Sequence, residues 1–471
     1  MKIKSCLYYL GLSCIPISIL SLVNIFYSFY FNYLDNINAY IYVLFLSLFF
    51  SLILYYLGKK DRENIEIYEQ LFLIFLIYFL ISFLILIPFY LSSYNVSFID
   101  SYFESVSGLT GTGFTTFNSI KNLDPPLILW RSSSQWLGGF YFLIFLVLIF
   151  TNKKINFKMI DLSFNLENKI SFSSNLLTVT NRIFLIYFSL TGLIFSFFLI
   201  SGIRIFDSLN LTMTIISSGG FIPHDSLNDI IRSNFQSLIL CFAFLISMLN
   251  FYLLYNIVLD RGNLKKHGED LYIVISVIVF GIIFYFINDL NLSSVFLNIL
   301  SSIGTSGIST TSVPGNFGLY FIILTLIGGS VLSTTSGLKL LRIYILIKAF
   351  YIEIYKLAKP NLMISNKIML SDNKINTNDI KMSFLIFILF FLSLFVLSSI
   401  LMIDFLDFEN SFKLSILTLT NTAASGIYGL QEIQFGDLFT FSKISLIIFM
   451  VIAKVELLAI FILVRKLFFK D

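Results

Sequence analysis

Four short stretches of small residues are the part of this sequence whose chemistry stands out. They read LTGTGF (109–114), ISSGGF (216–221), IGTSGI (303–308) and TAASGI (422–427). Each ends in a glycine followed by a large apolar residue, and most of the preceding side chains are small. Such stretches offer bare backbone, because glycine permits the positive φ angles that turn a carbonyl toward a ligand. The chemistry this predicts is coordination of a dehydrated monovalent cation by carbonyl oxygens.

The composition determines the solvent in which these stretches must work. The 471 residues are 57% hydrophobic, 17% aromatic and only 12% charged, with a mean hydropathy of +0.89. A soluble domain carries about 25% charged residues. Ordinary burial does not hide this much apolar surface, so the sequence predicts an all-α polytopic membrane protein. A β-barrel is disfavoured because the apolar runs are continuous, whereas barrel strands alternate.

The apolar segments divide the chain into a repeat. Between consecutive pairs of later segments lie the four small-residue stretches, each preceded by a short amphipathic segment. This predicts four units of helix, half-helix, loop and helix, arranged with pseudo-symmetry about a central site. Ten segments approach the roughly 20 residues that a bilayer requires. The predicted spans are 7–30, 38–57, 70–91, 127–150, 182–201, 235–258, 271–288, 318–358 (interrupted), 382–402 and 441–467.

The predicted domains follow from this division. Two transmembrane helices that belong to no unit come first, and the third unit has an interrupted inner helix. The domains are 1–66 (two N-terminal helices), 67–155 (pore unit 1), 156–262 (pore unit 2), 263–375 (pore unit 3) and 376–471 (pore unit 4).

The distribution of Lys and Arg predicts the orientation. With the N-terminus inside, most of the 31 basic residues fall on the cytoplasmic side, as the positive-inside rule requires. Both termini are therefore predicted to be cytoplasmic, and the outer face is predicted to be negative, which concentrates cations. The basic residues predicted outside are Lys121, Arg131, Arg204, Arg232, Lys413 and Lys443.

Carbonyl groups of the four stretches are the predicted ion ligands. Non-helical backbone at membrane depth is tolerated where it lines a water-filled path or is buried in protein. Contacts between helices through small residues are the alternative, and a phosphate loop is disfavoured because no Lys-Ser/Thr follows 108–113. The predicted filter residues are Thr110, Gly111, Thr112, Gly113, Ser217, Ser218, Gly219, Gly220, Gly304, Thr305, Ser306, Gly307, Ala423, Ala424, Ser425 and Gly426.

A second run of small residues interrupts the span 318–358. It leaves backbone groups without helical partners, which indicates a cavity. We predict a gate below the filter; a static kink is the alternative, and the nearby Lys339 is expected to be an interfacial anchor. The predicted gate residues are Gly328, Gly329, Ser330, Ser333, Thr334, Thr335, Ser336 and Gly337.

Several charged and polar residues are candidates for supporting roles. Lys454 lies mid-helix, where a charge requires water or a partner, so it is either a pore charge or half of an ion pair. Arg131 and Gln135 are expected to brace the first filter. A set of acids is expected to form a cation funnel or, residue by residue, to cap half-helices: Asp100, Glu104, Asp207, Asp225, Asp289 and Glu409.

The motifs resemble those of the Trk/Ktr/HKT superfamily of K⁺ transporters, and its TrkH branch most closely. The resemblance covers essentially the whole chain. The segment after the first filter is similar to WRSxxQWLGG, and the last inner helix begins Ala-Lys-Val-Glu where Gly-Arg-Leu-Glu is typical. The segments concerned are WRSSSQWLGG (130–139), ISSGGFIPHDS (216–226), GGSVLSTTSGLKLLR (328–342) and AKVELLAIFIL (453–463).

The resemblance implies a homodimer with one pore per chain. It also implies a separate cytoplasmic regulator, a TrkA-like nucleotide-binding protein of the RCK type, and a positive charge at Lys454 projecting toward the pore. This sequence departs from the pattern in its first filter, Thr-Gly-Thr-Gly, and in having Ala424 where an Asn is often found two residues before the fourth glycine. Short filters with a single terminal glycine imply modest discrimination between K⁺ and Na⁺.

The function expected from the resemblance is potassium uptake across a bacterial cytoplasmic (inner) membrane. A Na⁺-permeable or weakly selective channel is the first alternative. A cation-coupled symporter is less favoured, because the spans offer only Glu456 as a group that carries protons. No enzymatic activity, cofactor or nucleic-acid partner is expected; K⁺ at the filter is the only predicted metal, and lipid surrounds the chain.

Overall fold

The regular structure is helical throughout the part of the chain that the structure describes. The computed structural model describes residues 3–59, 65, 67–151, 176–255, 268–287, 291–310, 317–359, 375–430 and 433–456. The predicted all-α class is confirmed. The helices are α1 Ile3–Ser13, α2 Ile15–Tyr30, α3 Ile37–Gly58, α4 Ile67–Tyr90, α5 Phe98–Thr110, α6 Pro125–Thr151, α7 Leu176–Ile200, α8 Ile205–Ile216, α9 Asn234–Met248, α10 Phe251–Tyr255, α11 Gly268–Ile287, α12 Leu292–Ile303, α13 Gly318–Ile327, α14 Leu340–Ala358, α15 Thr377–Leu401, α16 Phe408–Leu419 and α17 Thr440–Val455.

Long apolar helices make this a multi-pass membrane protein. Within the described residues, six are long and apolar enough to cross a bilayer: Ile3–Tyr30, Ile37–Gly58, Tyr68–Tyr90, Thr180–Ile200, Gly268–Ile287 and Thr377–Asp404. Large apolar side chains such as Phe26, Phe45 and Phe79 are exposed on these helices. An apolar surface of this extent is stable against lipid and unstable against water.

In the part of the chain that the structure describes, three of the predicted spans are bent or interrupted. The predicted span 7–30 bends between α1 and α2, where Pro16 lies in the first turn of α2. The predicted interruption of 318–358 is the segment 328–339 between α13 and α14, which we call the interrupting loop. The predicted continuous span 235–258 was wrong, because α9 ends at Met248 and α10 begins at Phe251.

Four short helices, which we call half-helices, form a closed circle with the helices around them. They are α5, α8, α12 and α16. Each half-helix packs between the two long helices that flank it in sequence, and also against the inner helix of the preceding unit. Thus α8 contacts α6, α12 contacts α9, α16 contacts α13, and α5 contacts α17. The order of the units around this circle of helices is therefore 1, 2, 3, 4. Units 1 and 3 lie opposite each other, and so do units 2 and 4. The domain boundaries themselves stay a prediction.

The half-helices are buried although they contain many hydroxyl residues. These hydroxyls return hydrogen bonds to backbone carbonyls one turn earlier: Thr212 Oγ1 donates to Ser208 O at 2.6 Å, and Thr418 Oγ1 donates to Leu414 O at 2.7 Å. A buried hydroxyl that has such a partner avoids most of the desolvation penalty. Ser97 caps α5 by accepting from Asp100 N–H.

Candidate functional site

The C-terminal ends of the four half-helices share one backbone geometry. Two residues past Leu109, Ile216, Ile303 and Leu419, the chain adopts a left-handed conformation. In each case the amide at that position donates to the carbonyl three residues earlier, at 2.9–3.1 Å. The four turns are structurally equivalent. Their left-handed residues are Gly111 (φ 77°), Ser218 (φ 54°), Thr305 (φ 54°) and Asn421 (φ 46°).

Two residues beyond each of these turns, the four stretches of the chain meet. A Cβ added to Gly113 would lie 2.7 Å from Gly220 Cα and 2.9 Å from the Ala423 methyl. A Cβ added to Gly307 would lie 2.8 Å from Ala423 N. We call Gly113, Gly220, Gly307 and Ala423 the ring. All four line a single cavity of about 640 Å³, which we call the vestibule.

The fourth stretch differs in register from the sequence prediction. The equivalent of the three ring glycines is Ala423, three residues before the predicted Gly426. Gly426 begins a 3₁₀ turn, Gly426–Tyr428, and no other atom approaches within 4 Å of a Cβ placed on it. The segment equivalent to 110–113, 217–220 and 304–307 is therefore Thr420–Ala423, while Ala424, Ser425 and Gly426 line the wall of the vestibule.

The shifted register also corrects the prediction that the fourth stretch lacks an asparagine. Asn421 lies two residues before Ala423, so the asparagine is present and the glycine is the residue replaced. Its Nδ2 donates to Thr112 Oγ1 at 2.9 Å and to Met450 O at 3.0 Å. Asn421 thus links the fourth stretch to the first.

Glu104, Arg131 and Gln135 bind the backs of the first two stretches. Arg131 Nε donates to Glu104 Oε1 at 2.8 Å, with both side chains buried. The Arg131 guanidinium also lies 4.1 Å from the centroid of the Phe221 ring, and Phe221 N–H donates to Gln135 Oε1 at 3.1 Å. Glu104 also accepts hydrogen bonds from Thr115 and Thr116, directly after the first stretch. The structure thus places Gln135 against the second stretch, and Arg131 between Glu104 behind the first stretch and Phe221 at the end of the second.

The interrupting loop lies directly against the second and third stretches. Thr334 Oγ1 and Ser218 Oγ are 2.8 Å apart, and Ser336 N–H donates to Thr305 Oγ1 at 3.1 Å. Gly328 and Gly337 have φ values of 64° and 86°, which no other residue type adopts as readily. The predicted gate residues are buried or nearly so. The loop therefore occupies the space below the ring, on the side away from the vestibule.

Two lysines hold this loop. Lys454 Nζ donates to Thr334 O at 3.2 Å, and a Cβ placed on Gly111 would lie 3.7 Å from the same nitrogen. Lys339 folds back on the loop, donating to Thr335 O and, at 3.1 Å, to Thr335 Oγ1. The expectation of an interfacial anchor at Lys339 was wrong, since its side chain is 2% exposed.

Two acids that sequence reasoning missed bind the interrupting loop and the helix break that pairs with it. Glu269 Oε1 accepts from Val331 N–H at 2.8 Å, and Asp270 Oδ1 accepts from Asn250 N–H at 2.8 Å in the α9–α10 break. Both carboxylates are buried at the start of α11, so Glu456 is not the only acid available in the spans. Glu456 itself pairs with Arg342 at 2.9 Å. The sequence signal that could have identified Glu269 and Asp270 is that two consecutive acids begin an apolar segment.

The other acids singled out from the sequence have polar or charged partners wherever the structure describes them. Asp100 pairs with Lys443 at 2.5 Å, and Glu409 pairs with Lys413 at 2.5 Å. Asp207 Oδ1 lies 3.0 Å from His224 Nε2. Asp225 lines the vestibule and accepts from Ser119 and Ile120. Asp289 lies outside the described residues.

Backbone pairing joins the interrupting loop to the broken inner helix of unit 2. Ser330 N–H donates to Met248 O at 3.0 Å, and Phe251 N–H donates to Leu332 O at 2.7 Å. Each break thus satisfies backbone groups of the other, which is how irregular backbone is stabilised inside a membrane protein. The arrangement provides a ring of backbone at membrane depth, a cavity on one side and a bound loop on the other.

Comparison with known proteins gives relatives along nearly the whole chain. No protein-family model matches it. The chain is 27% identical to an uncharacterized cation transporter of Methanocaldococcus jannaschii, over 99% of this chain and 96% of the relative. It is 26% identical to the Trk system potassium uptake protein TrkG of Escherichia coli, over 88% of each chain. It is also 26% identical to TrkH of Salmonella typhimurium, over 70% of this chain and 72% of the relative.

The fold is also that of a solved transporter. The crystal structure of the potassium transporter TrkH from Vibrio parahaemolyticus superposes with a TM-score of 0.86, covering 98% of both chains at 21% identity. At this identity the superposition establishes the fold alone. Together with the sequence relatives along nearly the whole chain, it makes the chain similar to Trk-type potassium transporters in both sequence and fold.

Proposed function

We propose that the chain takes up potassium ions across the cytoplasmic membrane. The observation that carries the proposal is the convergence of four equivalent turns on one ring between the vestibule and the interrupting loop. Relatives named as Trk potassium uptake proteins, which match at 26% identity, support K⁺ as the ion. The membrane potential would drive uptake, contributing about 2.3 kcal/mol per elementary charge for about 100 mV.

The proposed filter consists of the residues leading into the ring. In units 1 to 3 these are 110–113, 217–220 and 304–307, and in unit 4 they are 420–423. The negative ends of four half-helix dipoles lie at this level and favour a cation. Carbonyl oxygens then replace the hydration shell of the ion.

The interrupting loop is the proposed gate. It contacts Ser218 and Thr305 at the base of the filter, so an ion that leaves the filter meets the loop. Lys454, which holds the loop at Thr334, places a positive charge on the same path. Withdrawal of the loop, with the helix α14 that follows it, opens the path.

The proposed setting is a bacterial inner membrane with both termini in the cytoplasm and the vestibule outside. The excess of Lys and Arg in the predicted inner segments supports this orientation. A homodimer and a TrkA-like regulator of the RCK type complete the proposal, on the basis of the family resemblance. Selectivity for K⁺ over Na⁺ is part of the proposal and is what the experiment measures.

The test is growth of a bacterium deficient in K⁺ uptake on low potassium, together with ⁸⁶Rb⁺ flux into proteoliposomes. The full-length chain should rescue growth, and K⁺ should compete with ⁸⁶Rb⁺ more strongly than Na⁺ does. Gly113→Ser and Gly220→Ser should both abolish rescue, because each places a side chain in the crowded ring. Rescue that survives both substitutions overturns the filter assignment. Equal competition by Na⁺ and K⁺ indicates the weakly selective channel instead.

A further inference from the structure

A cavity of about 260 Å³ lies beside the interrupting loop, between α11 and the start of α14. We call it the lateral cavity; it is lined by one face of α11, from Glu269 to Phe280, and by Leu340, Leu341 and Tyr344 of α14. It shares no lining residue with the vestibule. Ile275 and Val279 line it and are also exposed on the apolar surface of α11. The lateral cavity is therefore open toward the bilayer.

One carboxylate oxygen at this cavity lacks a partner. Glu269 lines the cavity and is 6% exposed. Its Oε1 accepts from Val331 N–H in the interrupting loop, whereas its Oε2 has no hydrogen-bond partner among the described residues. Val331 does not line the cavity, so Oε2 is the oxygen available to a molecule inside it. Because a buried acceptor without a donor is unfavourable, this oxygen indicates a ligand that donates a hydrogen bond.

The basic residues closest to Glu269 in the chain of contacts are bound elsewhere. Lys339 donates to Thr335, and Arg342 pairs with Glu456. Neither donates to Glu269 Oε2. A buried carboxylate is stable when an opposite charge faces it with good hydrogen-bond geometry. A cationic ligand would supply that charge.

Two tyrosines make the cavity suitable for an ammonium group. Tyr272 lies one turn after Glu269 on α11, and its ring centroid is 5.2 Å from that of Tyr344 on α14. Both tyrosines line the cavity. Aromatic faces attract cations, most strongly where water is excluded. Lys348 Nζ lies 6.0 Å from the centroid of the Tyr344 ring, so a positive charge for an anionic group is present beside the same pair.

We propose that the lateral cavity binds a membrane lipid whose headgroup carries a primary ammonium, of the phosphatidylethanolamine type. The ammonium donates to Glu269 Oε2 beside the tyrosine pair, the phosphate lies near Lys348, and an acyl chain follows α11 past Ile275 and Val279. A primary ammonium has N–H donors for Oε2, whereas the quaternary ammonium of a choline lipid has none. This site does not depend on which ion the chain transports.

The test measures lipid binding to the full-length chain, purified in detergent, by native mass spectrometry. Phosphatidylethanolamine, phosphatidylcholine and phosphatidylglycerol with identical acyl chains are offered at equal concentrations. The 1:1 complex with phosphatidylethanolamine should exceed that with phosphatidylcholine by about tenfold, the lower end for a hydrogen bond to a charged group. Glu269→Gln should abolish this preference, because it removes the charge while retaining the size and an acceptor for Val331.

Two further variants separate the site from general effects. Glu353→Gln on α14 is the matched control, because it removes an exposed carboxylate that pairs with Lys356 outside the lateral cavity. Its lipid preference should equal that of the parent. Ser276→Leu fills the cavity and leaves Glu269 unchanged, so binding of phosphatidylethanolamine should fall several-fold. If Glu269→Gln fails to fold, Ser276→Leu provides the test.

Four results would overturn the inference. They are equal binding of the ethanolamine and choline lipids to the parent, a preference that survives Glu269→Gln, and undiminished binding in Ser276→Leu. The fourth is tighter binding of phosphatidylglycerol than of phosphatidylethanolamine, which would mean that the basic residues recognise phosphate and the carboxylate recognises nothing. Because binding is measured rather than flux, each of these results leaves the proposed function intact.

Discussion

At the scale of single residues, Glu104 and Arg131 form a buried ion pair, and removing one of the two charges should cost more stability than removing both. Glu104→Gln retains the shape and hydrogen bonds to Thr116 but leaves the Arg131 charge buried without its carboxylate. Removing one member of a buried pair costs about 3–5 kcal/mol. We expect a clearly lower thermal unfolding temperature in detergent and loss of growth on low potassium.

The control for this prediction is the double variant Glu104→Gln/Arg131→Met. Methionine removes the orphaned charge and still packs on Phe221, so stability should exceed that of Glu104→Gln alone. Recovery of stability identifies the unpaired charge as the cause. If the double variant is less stable than the single variant, the charge-pair explanation is wrong and Arg131 acts through its other contacts.

Lys454 carries a second prediction at this scale. Lys454→Met removes the positive charge near Gly111 and the hydrogen bond to Thr334 O. Both changes favour ion flow, the first by removing repulsion and the second by releasing the interrupting loop. We expect ⁸⁶Rb⁺ flux in liposomes to increase several-fold, while Lys454→Arg stays near the parent rate. Flux below that of the parent in Lys454→Met contradicts this role.

Residue identity could be predicted from the sequence more reliably than register. All four stretches have a terminal glycine, and the structure places three of these glycines, Gly113, Gly220 and Gly307, at the ring. In the fourth, the glycine pattern favours 426, whereas the helix end at Leu419 and the left-handed turn at Asn421 place Ala423 there. The position of a helix C-terminus is set by backbone hydrogen bonds, and a motif search does not detect it.

At the scale of elements, the interrupting loop is held by the N-terminus of α11. Glu269→Leu removes the acceptor of the Val331 amide at similar size, and an unsatisfied buried amide costs about 1–3 kcal/mol. The bound conformation of the loop then loses stability relative to a withdrawn one. We expect ⁸⁶Rb⁺ flux without any cytoplasmic regulator to rise by about tenfold, since about 1.4 kcal/mol corresponds to that factor.

Glu269→Gln is the matched control, because its side-chain oxygen still accepts from Val331. It should conduct like the parent. If Glu269→Gln and Glu269→Leu both conduct faster than the parent and to the same extent, the charge of Glu269 matters and the hydrogen bond to the loop does not. Flux that stays at the parent level in both variants shows that Glu269 does not restrain the loop.

The helix break that faces this loop illustrates what element-level prediction misses. The segment 235–258 is predominantly apolar and carries no charge, so hydropathy alone predicts one continuous span. The break at 249–250 exists because the interrupting loop and Asp270 supply partners for the amides released there. Contacts between units 2 and 3 therefore create it, and a single segment carries little trace of them.

At the scale of the whole molecule, the closed arrangement of the four units requires a contact between unit 4 and unit 1. Asp100 in the first turn of α5 pairs with Lys443 in the first turn of α17, and both side chains are largely buried. Lys443 also donates to Gly436 O at 2.6 Å. This pair joins unit 4 to unit 1 at the end of α5 away from the ring, about 15 Å along the helix axis.

Breaking this pair should therefore affect stability without affecting ion preference. We expect Asp100→Asn to reduce the free energy of unfolding by about 1–3 kcal/mol, the cost of losing a partly buried charge-assisted hydrogen bond. The measurement is thermal unfolding in detergent, combined with K⁺:Na⁺ uptake ratios in liposomes. The ratios should equal those of the parent, because the half-helix and its C-terminal turn are retained.

Glu409→Gln is the control for the general effect of losing an ion pair, as distinct from losing the contact between units 4 and 1. Glu409 occupies the first turn of α16, as Asp100 does in α5, but its partner Lys413 lies on the same helix and Glu409 is 73% exposed. A pair of this kind contributes about 0.5 kcal/mol or less. Asp100→Asn should therefore destabilise the protein more than Glu409→Gln. Equal effects would mean that the four units hold together through packing alone, with no special contribution from the Asp100–Lys443 pair.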